Sequence, residues 1–206
     1  MLRSEAEGHR SVSAEGFTTV MAKVSSLRSE LAEGRNALAL GQVCALTERF
    51  IAKPEQAGRL VEFLWDDDEG VASRAADVLE RVTRRGTPAS KSLFSRSKEA
   101  LLGLLPEACP KKLRWNLALM VGRFPLVPEE ARRAATVLES WLDDGSSIVK
   151  TAALQGLAEL TRHDPALLPR VLDVLRIQGL SGTPAMRARS RIWLLKLEKR
   201  SGNERR

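Results

Sequence analysis

The most acidic stretch of this 206-residue chain, Asp66-Asp67-Asp68-Glu69, could offer several carboxylate oxygens to a hard cation such as Mg²⁺. A second acidic turn, Asp143-Asp144-Gly145, recurs at the same phase of a related segment. Asp and Gly populate the turns between helices, and negative charge is favoured at a helix N-terminus. The carboxylates are therefore read as turn and cap residues. His9 and His163 have no Cys or carboxylate at zinc-ligand spacing, and His163 falls where a helix should end, a favourable place for its charge. Cys44 and Cys109 belong to apolar helical patterns and are expected to be buried free thiols. Lys111 and Lys112 beside Cys109 could activate it, but a small residue tucked into a turn is the simpler reading. No phosphate-cradling glycine loop, hydrolase elbow or kinase signature is present. The expectation is a protein that is not an enzyme and carries neither metal nor cofactor.

Binding chemistry has better candidates. Four tryptophans are present, Trp65, Trp115, Trp141 and Trp193. Trp65 and Trp141 close helices at related phases and are expected to pack in the core. Trp115 lies among Lys111, Lys112 and Arg114, and Trp193 among Arg189, Arg191 and Lys196. Basic residues around an exposed aromatic suit a protein hot spot or a stacking platform for nucleic acid. A row of basic residues also emerges once the helices are aligned: Arg74 and Arg81, then Arg123, then Arg189 and Lys196, interrupted by Asn116, Ala152 and Glu159. These positions are seven apart within a helix, which leaves them within about 20° of each other around its axis.

The elements that must carry these residues follow from one repeated pattern. An aliphatic residue is followed four later by a second, usually small one, then by large apolar residues at the next fourth and third positions. The copies are Val71-Ala75-Leu79-Val82, Leu113-Leu117-Val121-Phe124, Val149-Ala153-Leu157-Leu160 and Met186-Ser190-Leu194-Leu197, with first residues 42, 36 and 37 apart. Self-similarity at such a period marks stacked helical hairpins. The clearest copy pairs a first helix at Pro128–Leu142 with a second at about Ile148–Arg162, across an Asp/Gly/Ser turn. Pro54–Leu64 pairs with Val71–Arg84, Ser97–Leu105 with Pro110–Phe124, and Pro165–Ile177 with Pro184–Lys199. The repeats are thus bounded at 54–84, 97–124, 128–162 and 165–199, within one domain spanning 16–200. Residues 16–53 are expected to form an atypical capping pair, and Arg85–Ser95 an exposed loop. Residues 1–15 and 201–206 are expected to be disordered tails.

The small residue in the second helix, the apolar positions after it and the acidic turn before it resemble the HEAT repeat, an armadillo-like α-solenoid family, over roughly residues 54–199. The resemblance implies an all-α, right-handed superhelix of about five antiparallel helix pairs. It also implies a ladder in which a turn Asp pairs with a basic residue six positions later. Asp144 and Lys150 match that spacing, while Arg114 and Lys150 and Arg187 keep the basic half of the ladder. Tetratricopeptide repeats, with a period of 34 and a signature needing Tyr, do not fit a chain that has no Tyr.

Such solenoids usually offer a binding surface. The expected function is a scaffold whose concave face, lined by second helices, binds a protein or peptide through Arg74, Arg81, Arg114, Trp115, Arg123, Lys150, Arg187, Arg189 and Lys196. The alternative is nucleic-acid binding, as in the alkylpurine DNA glycosylases built from HEAT-like repeats, which use Trp, Asp and Arg in a concave cleft. Trp115 and Trp141 have no companion Asp and Arg in register to match that set. The formal charge of +7 is no guide to this choice, because Ala185–Arg206 alone carries eight basic and two acidic residues. The rest of the chain is close to neutral. No secretion signal and no apolar run of membrane-spanning length is present, which points to the cytoplasm and to no membrane partner.

Overall fold

The computed structural model describes residues 26–33 and 39–203. Among them every regular element is helical. A short α1 (26–32) precedes α2 (Ala39–Ala52), α3 (Arg59–Glu62), α4 (Glu69–Arg84), α5 (Pro88–Leu104), α6 (Lys111–Val121), α7 (Pro128–Ser140), α8 (Ser147–Leu160), α9 (Leu168–Ser181) and α10 (Pro184–Asn203). The even-numbered second helices form one row: α2 packs on α4, α4 on α6, α6 on α8 and α8 on α10. Helices α3, α7 and α9 lie against their own second helices. Over the described residues the chain is an all-α solenoid of about five helix pairs.

The repeated apolar positions form the seam of this row. All sixteen are buried except Leu194, which is partly covered. Small residues at the second position let neighbouring helices approach, and Gly156 shows how closely. A Cβ built there would sit 2.6 Å from the Ala118 carbonyl oxygen on α6 and 2.6 Å from Leu138 Cδ1 on α7. The turns are set by capping. Asp68 Oδ1 accepts from the backbone N–H groups of Gly70 (2.7 Å) and Val71 (3.3 Å) at the start of α4. Asp144 accepts from the Ser146 N–H at 2.7 Å ahead of α8. Pro88, Pro128 and Pro184 each stand at the first position of a helix, where their missing N–H costs nothing.

Several sequence expectations need correction. Arg85–Ser95 is not a loop: α5 begins at Pro88 after Thr87, and Leu93 and Phe94 are buried. Gly86, at φ +62°, makes the turn before it. The first helix of that repeat therefore starts nine residues before Ser97, and it packs on α4 and on Pro54–Gln56. Pro54–Leu64 is not one helix but a 3₁₀ turn, the short α3, and a second 3₁₀ turn at Phe63–Trp65. That last turn sends Phe63 and Leu64 into the core and leaves Trp65 nearly half exposed, whereas Trp141 is buried as expected. Pro165–Leu167 is also 3₁₀, so α9 starts late and Pro169 falls in its first turn, where it is tolerated. Helix α10 continues through Asn203, into the stretch expected to be a tail. Cys44 and Cys109 are both free but exposed rather than buried. The expected disorder of residues 1–15 and the start of the expected capping pair, 16–25, lie outside the described residues; Leu27 and Leu31 are buried.

Candidate interaction surface

The repeats are tied to one another by polar contacts at both ends of the second helices, and these contacts claim many of the basic residues singled out above. Asp66 receives a two-pronged hydrogen bond from Arg28, at 2.7 Å and 2.8 Å. The Arg28 guanidinium holds the Asp66 carboxyl below the usual carboxylate range, against the opposing effect of burial. Asp144 pairs not with Lys150 but with Arg114 of the preceding second helix, Oδ2 to Nε 2.8 Å. The expected pairing within a repeat is thus replaced by pairing between repeats, because the turn Asp faces the neighbouring helix. Arg114 also donates to the carbonyls of Ala108 and Cys109. Arg74 donates to the carbonyls of Leu31 and Ala32, covering the end of α1.

The C-terminal ends are fastened in the same spirit. Arg123 donates to the Glu80 carboxylate (2.9 Å), the Glu80 carbonyl (3.1 Å) and Thr83 Oγ1 (3.0 Å). Arg162 donates to the Gly122 carbonyl at 2.9 Å, and Arg200 to Thr161 Oγ1 at 2.9 Å. Each arginine reaches back from one second helix to the last turn of the helix before it, where orphan carbonyls need donors. Outside this row Lys98 binds Glu130 at 2.7 Å, lowering the Glu130 carboxyl together with the Val127 N–H. Burial raises the Glu139 carboxyl despite its pair with Arg170.

The remaining expected contact residues are distributed as follows. Arg187 donates to the Gly182 carbonyl (3.2 Å), and Arg189 to Gln155 Oε1 (2.6 Å). Arg81 reaches Cys44 Sγ at 3.8 Å. Lys196 stands over the Trp193 ring, 4.5 Å from its centre. Lys150 is partly exposed, and Trp115 is half-buried against the core.

Two depressions lie along the second helices. The first is a shallow groove of about 160 Å³, formed by Trp115 and Leu119 of α6, Ile148 and Thr151 of α8, and Arg189 of α10. Ile148 is half exposed there. The second is a cleft of about 960 Å³ across the C-terminal ends of α4, α6, α8 and the later half of α10, with α5 forming one wall. A hydrogen-bonded chain lies between them: Arg189 to Gln155, and Gln155 Nε2 to Glu159 Oε1 at 2.8 Å. Glu159 and Trp193 line the cleft, so its rim begins where this chain ends. Of the residues expected from sequence, Trp115 and Arg189 meet in the groove, and Arg123 and Lys196 in the cleft. Leu119, Ile148, Lys91 and Phe94 were not anticipated. The dipeptide Thr-Arg recurs at 83–84 and 161–162, twelve residues after Val71 and Val149, and was a further signal for the cleft, since both threonines accept an arginine there.

Among the described residues, no group of three or more His, Cys, Asp or Glu side chains is placed to hold a metal ion, and no helix is long and apolar enough to cross a membrane. No family model and no curated protein matches the chain. Solved structures do. An engineered protein from the Northeast Structural Genomics Consortium superposes with a TM-score of 0.59 at 17% identity, over 91% of this chain and 85% of that one. A designed armadillo repeat protein gives a TM-score of 0.53 at 16% identity, over 89% and 86%. Another, solved in complex with the peptide (KR)4, gives 0.57 at 14% identity, over 85% and 81%. At these identities the likeness establishes the fold, an armadillo- and HEAT-like repeat solenoid.

Proposed function

We propose that this chain is a non-enzymatic scaffold that binds an extended segment of a partner protein along its row of second helices. The observation that carries the reading is the groove in which Trp115, Leu119 and Ile148 come together from two neighbouring repeats. An aromatic anchored at its base and half open to solvent loses little side-chain freedom when a partner covers it, which is the usual condition of a hot spot. The solenoid architecture supports this: a designed armadillo repeat protein of similar fold is known with a peptide bound.

The polar contacts favour the same reading over nucleic-acid binding. Arg114 and Arg123 pair with the carboxylates of Asp144 and Glu80 on adjoining repeats, and Arg74 donates to the carbonyls that end α1, so these three guanidiniums have donors committed to protein acceptors instead of phosphates. A photo-cross-linking residue placed at Ile148 tests the proposal in a native lysate, with the same probe at Arg133 on α7 as the control. A discrete protein adduct from Ile148 and none from Arg133 supports it. Adducts to nucleic acid alone, or identical protein adducts from both positions, would overturn it.

A further inference from the structure

The cleft across the helix ends has a charge pattern of its own. Its cations are Arg84, Lys91, Arg123, Arg162, Lys196 and Arg200, and its lining holds one carboxylate, Glu159. The C-terminal ends of helices carry partial negative charge, so arginines are expected here as caps. Arg123, Arg162 and Arg200 fill that role through the bonds given above. Arg84 faces Glu80 at 3.8 Å, and two ammonium groups are left over. Lys91 makes no side-chain hydrogen bond or ion pair among the described residues, and the contact of Lys196 is with the face of Trp193. Lys91 belongs to α5, which packs on α4, whereas Lys196 belongs to α10, so they mark the two ends of the cleft.

Apolar side chains stand among the polar ones between them. Phe94 packs its ring on Phe124, with centroids 5.1 Å apart, and Trp193 stands on the far side with one face taken by Lys196. Helices pack about 8–10 Å apart, so a path across the ends of α4, α6, α8 and α10 measures roughly 25 Å. That is the length of about seven or eight extended residues and longer than a small metabolite needs.

We infer that this cleft receives an acidic stretch of the partner, with carboxylates meeting Lys91 and Lys196 at its ends and one large apolar side chain seated on the floor between those ends, where Phe124, Ala158 and Leu197 line it. The inference rests on the scaffold reading and extends it to a second contact, outside the Trp115 groove.

A fluorescein-labelled peptide about nine residues long, all Glu with one central Phe, is a direct probe. Fluorescence anisotropy in roughly 50 mM salt should show saturable binding that weakens as salt is raised. The double variant Lys91→Glu/Lys196→Glu should weaken it about tenfold or more, and replacing the central Phe by Gly should weaken it as well. Both lysines are exposed, so the fold should survive, as circular dichroism would verify. Equal binding of a Lys-for-Glu peptide would overturn the inference. So would an affinity untouched by charge reversal, or tighter binding of a DNA duplex of about 20 base pairs. If the acidic peptide fails to bind while the Ile148 probe still captures a protein, the cleft assignment falls and the scaffold reading stands. If the peptide binds and the Ile148 probe captures nothing, the cleft stands as a contact of the scaffold and the Trp115 groove falls.

Discussion

Arg123 and Glu80 form a clasp between consecutive second helices: Nη2 lies 2.9 Å from Oε1, and both side chains are largely buried. The same guanidinium covers the Glu80 carbonyl and Thr83 Oγ1, so one residue satisfies three acceptors at the end of α4. Removing it leaves the largely buried Glu80 carboxylate with only Arg84, 3.8 Å away, and takes one donor from a carbonyl that keeps the Thr83 hydroxyl. Arg123→Met should therefore cost about 2–4 kcal/mol in urea unfolding. Adding Glu80→Gln should restore part of that loss, because the stranded charge is gone; additive losses in the double mutant would contradict the clasp.

Gly156 gives a sharper test of how tightly the repeats stack. Alanine is ordinarily the better helix former by about 1 kcal/mol. Here its methyl group would press on the Ala118 carbonyl oxygen, backbone that cannot swing aside. Gly156→Ala should thus destabilise the protein by about 1–3 kcal/mol, against its helix propensity. Gly145→Ala, where no atom lies within 4 Å of the added Cβ, serves as the control and should be nearly silent.

These contacts also show where sequence was informative and where it was not. The apolar periodicity of Val71, Ala75 and Leu79 and its copies gave the solenoid, because burial along a helix face is a local pattern repeated in every copy. The first half of α5 escaped because Arg85–Ser95 is polar and only Leu93 and Phe94 mark its buried side. The basic row misled for a different reason. A helical wheel says that Arg74 and Arg123 share a side with Arg81, but not that the neighbouring repeat places a carbonyl or carboxylate against them. The cleft could not be read at all from any one segment, since Lys91, Arg162 and Lys196 come from three different repeats.

Acid should loosen the stack by a definable route. Asp66, bonded by Arg28, and Glu130, bonded by Lys98, both have carboxyls held below their ordinary range. A depressed carboxyl contributes stability above its unfolded value and loses it as pH falls through the lower folded one. Stability should therefore drop as pH falls below about 4. Glu139, raised by burial, acts in the opposite sense and relieves the fold as it protonates. Lys98→Met should flatten the acid limb of a stability–pH profile; an unchanged slope would show that the pair is not felt.

Cys44 and Cys109 provide a quick check of the turn and helix placements. Both thiols are exposed, with Cys109 Sγ donating to the Glu107 carbonyl at 3.3 Å. A disulfide dye exchanging with thiolate should titrate two thiols in the native protein without denaturant. Protection of either until unfolding would place that residue back in the core.

The functional groove can be separated from the fold at Ile148. This side chain is half exposed at the first turn of α8, beside Trp115 and Leu119, and no core contact depends on it. A glutamate there is compatible with a helix N-terminus, where negative charge is favoured. Ile148→Glu should accordingly leave the melting temperature unchanged or slightly raised. In the same protein it should cut partner capture at least about tenfold, since a charge would be buried in the apolar centre of the contact. Trp115→Ala is the less clean variant, because the indole packs on the core and its loss also costs stability. Undiminished capture by a well-folded Ile148→Glu protein would remove the groove from the binding surface.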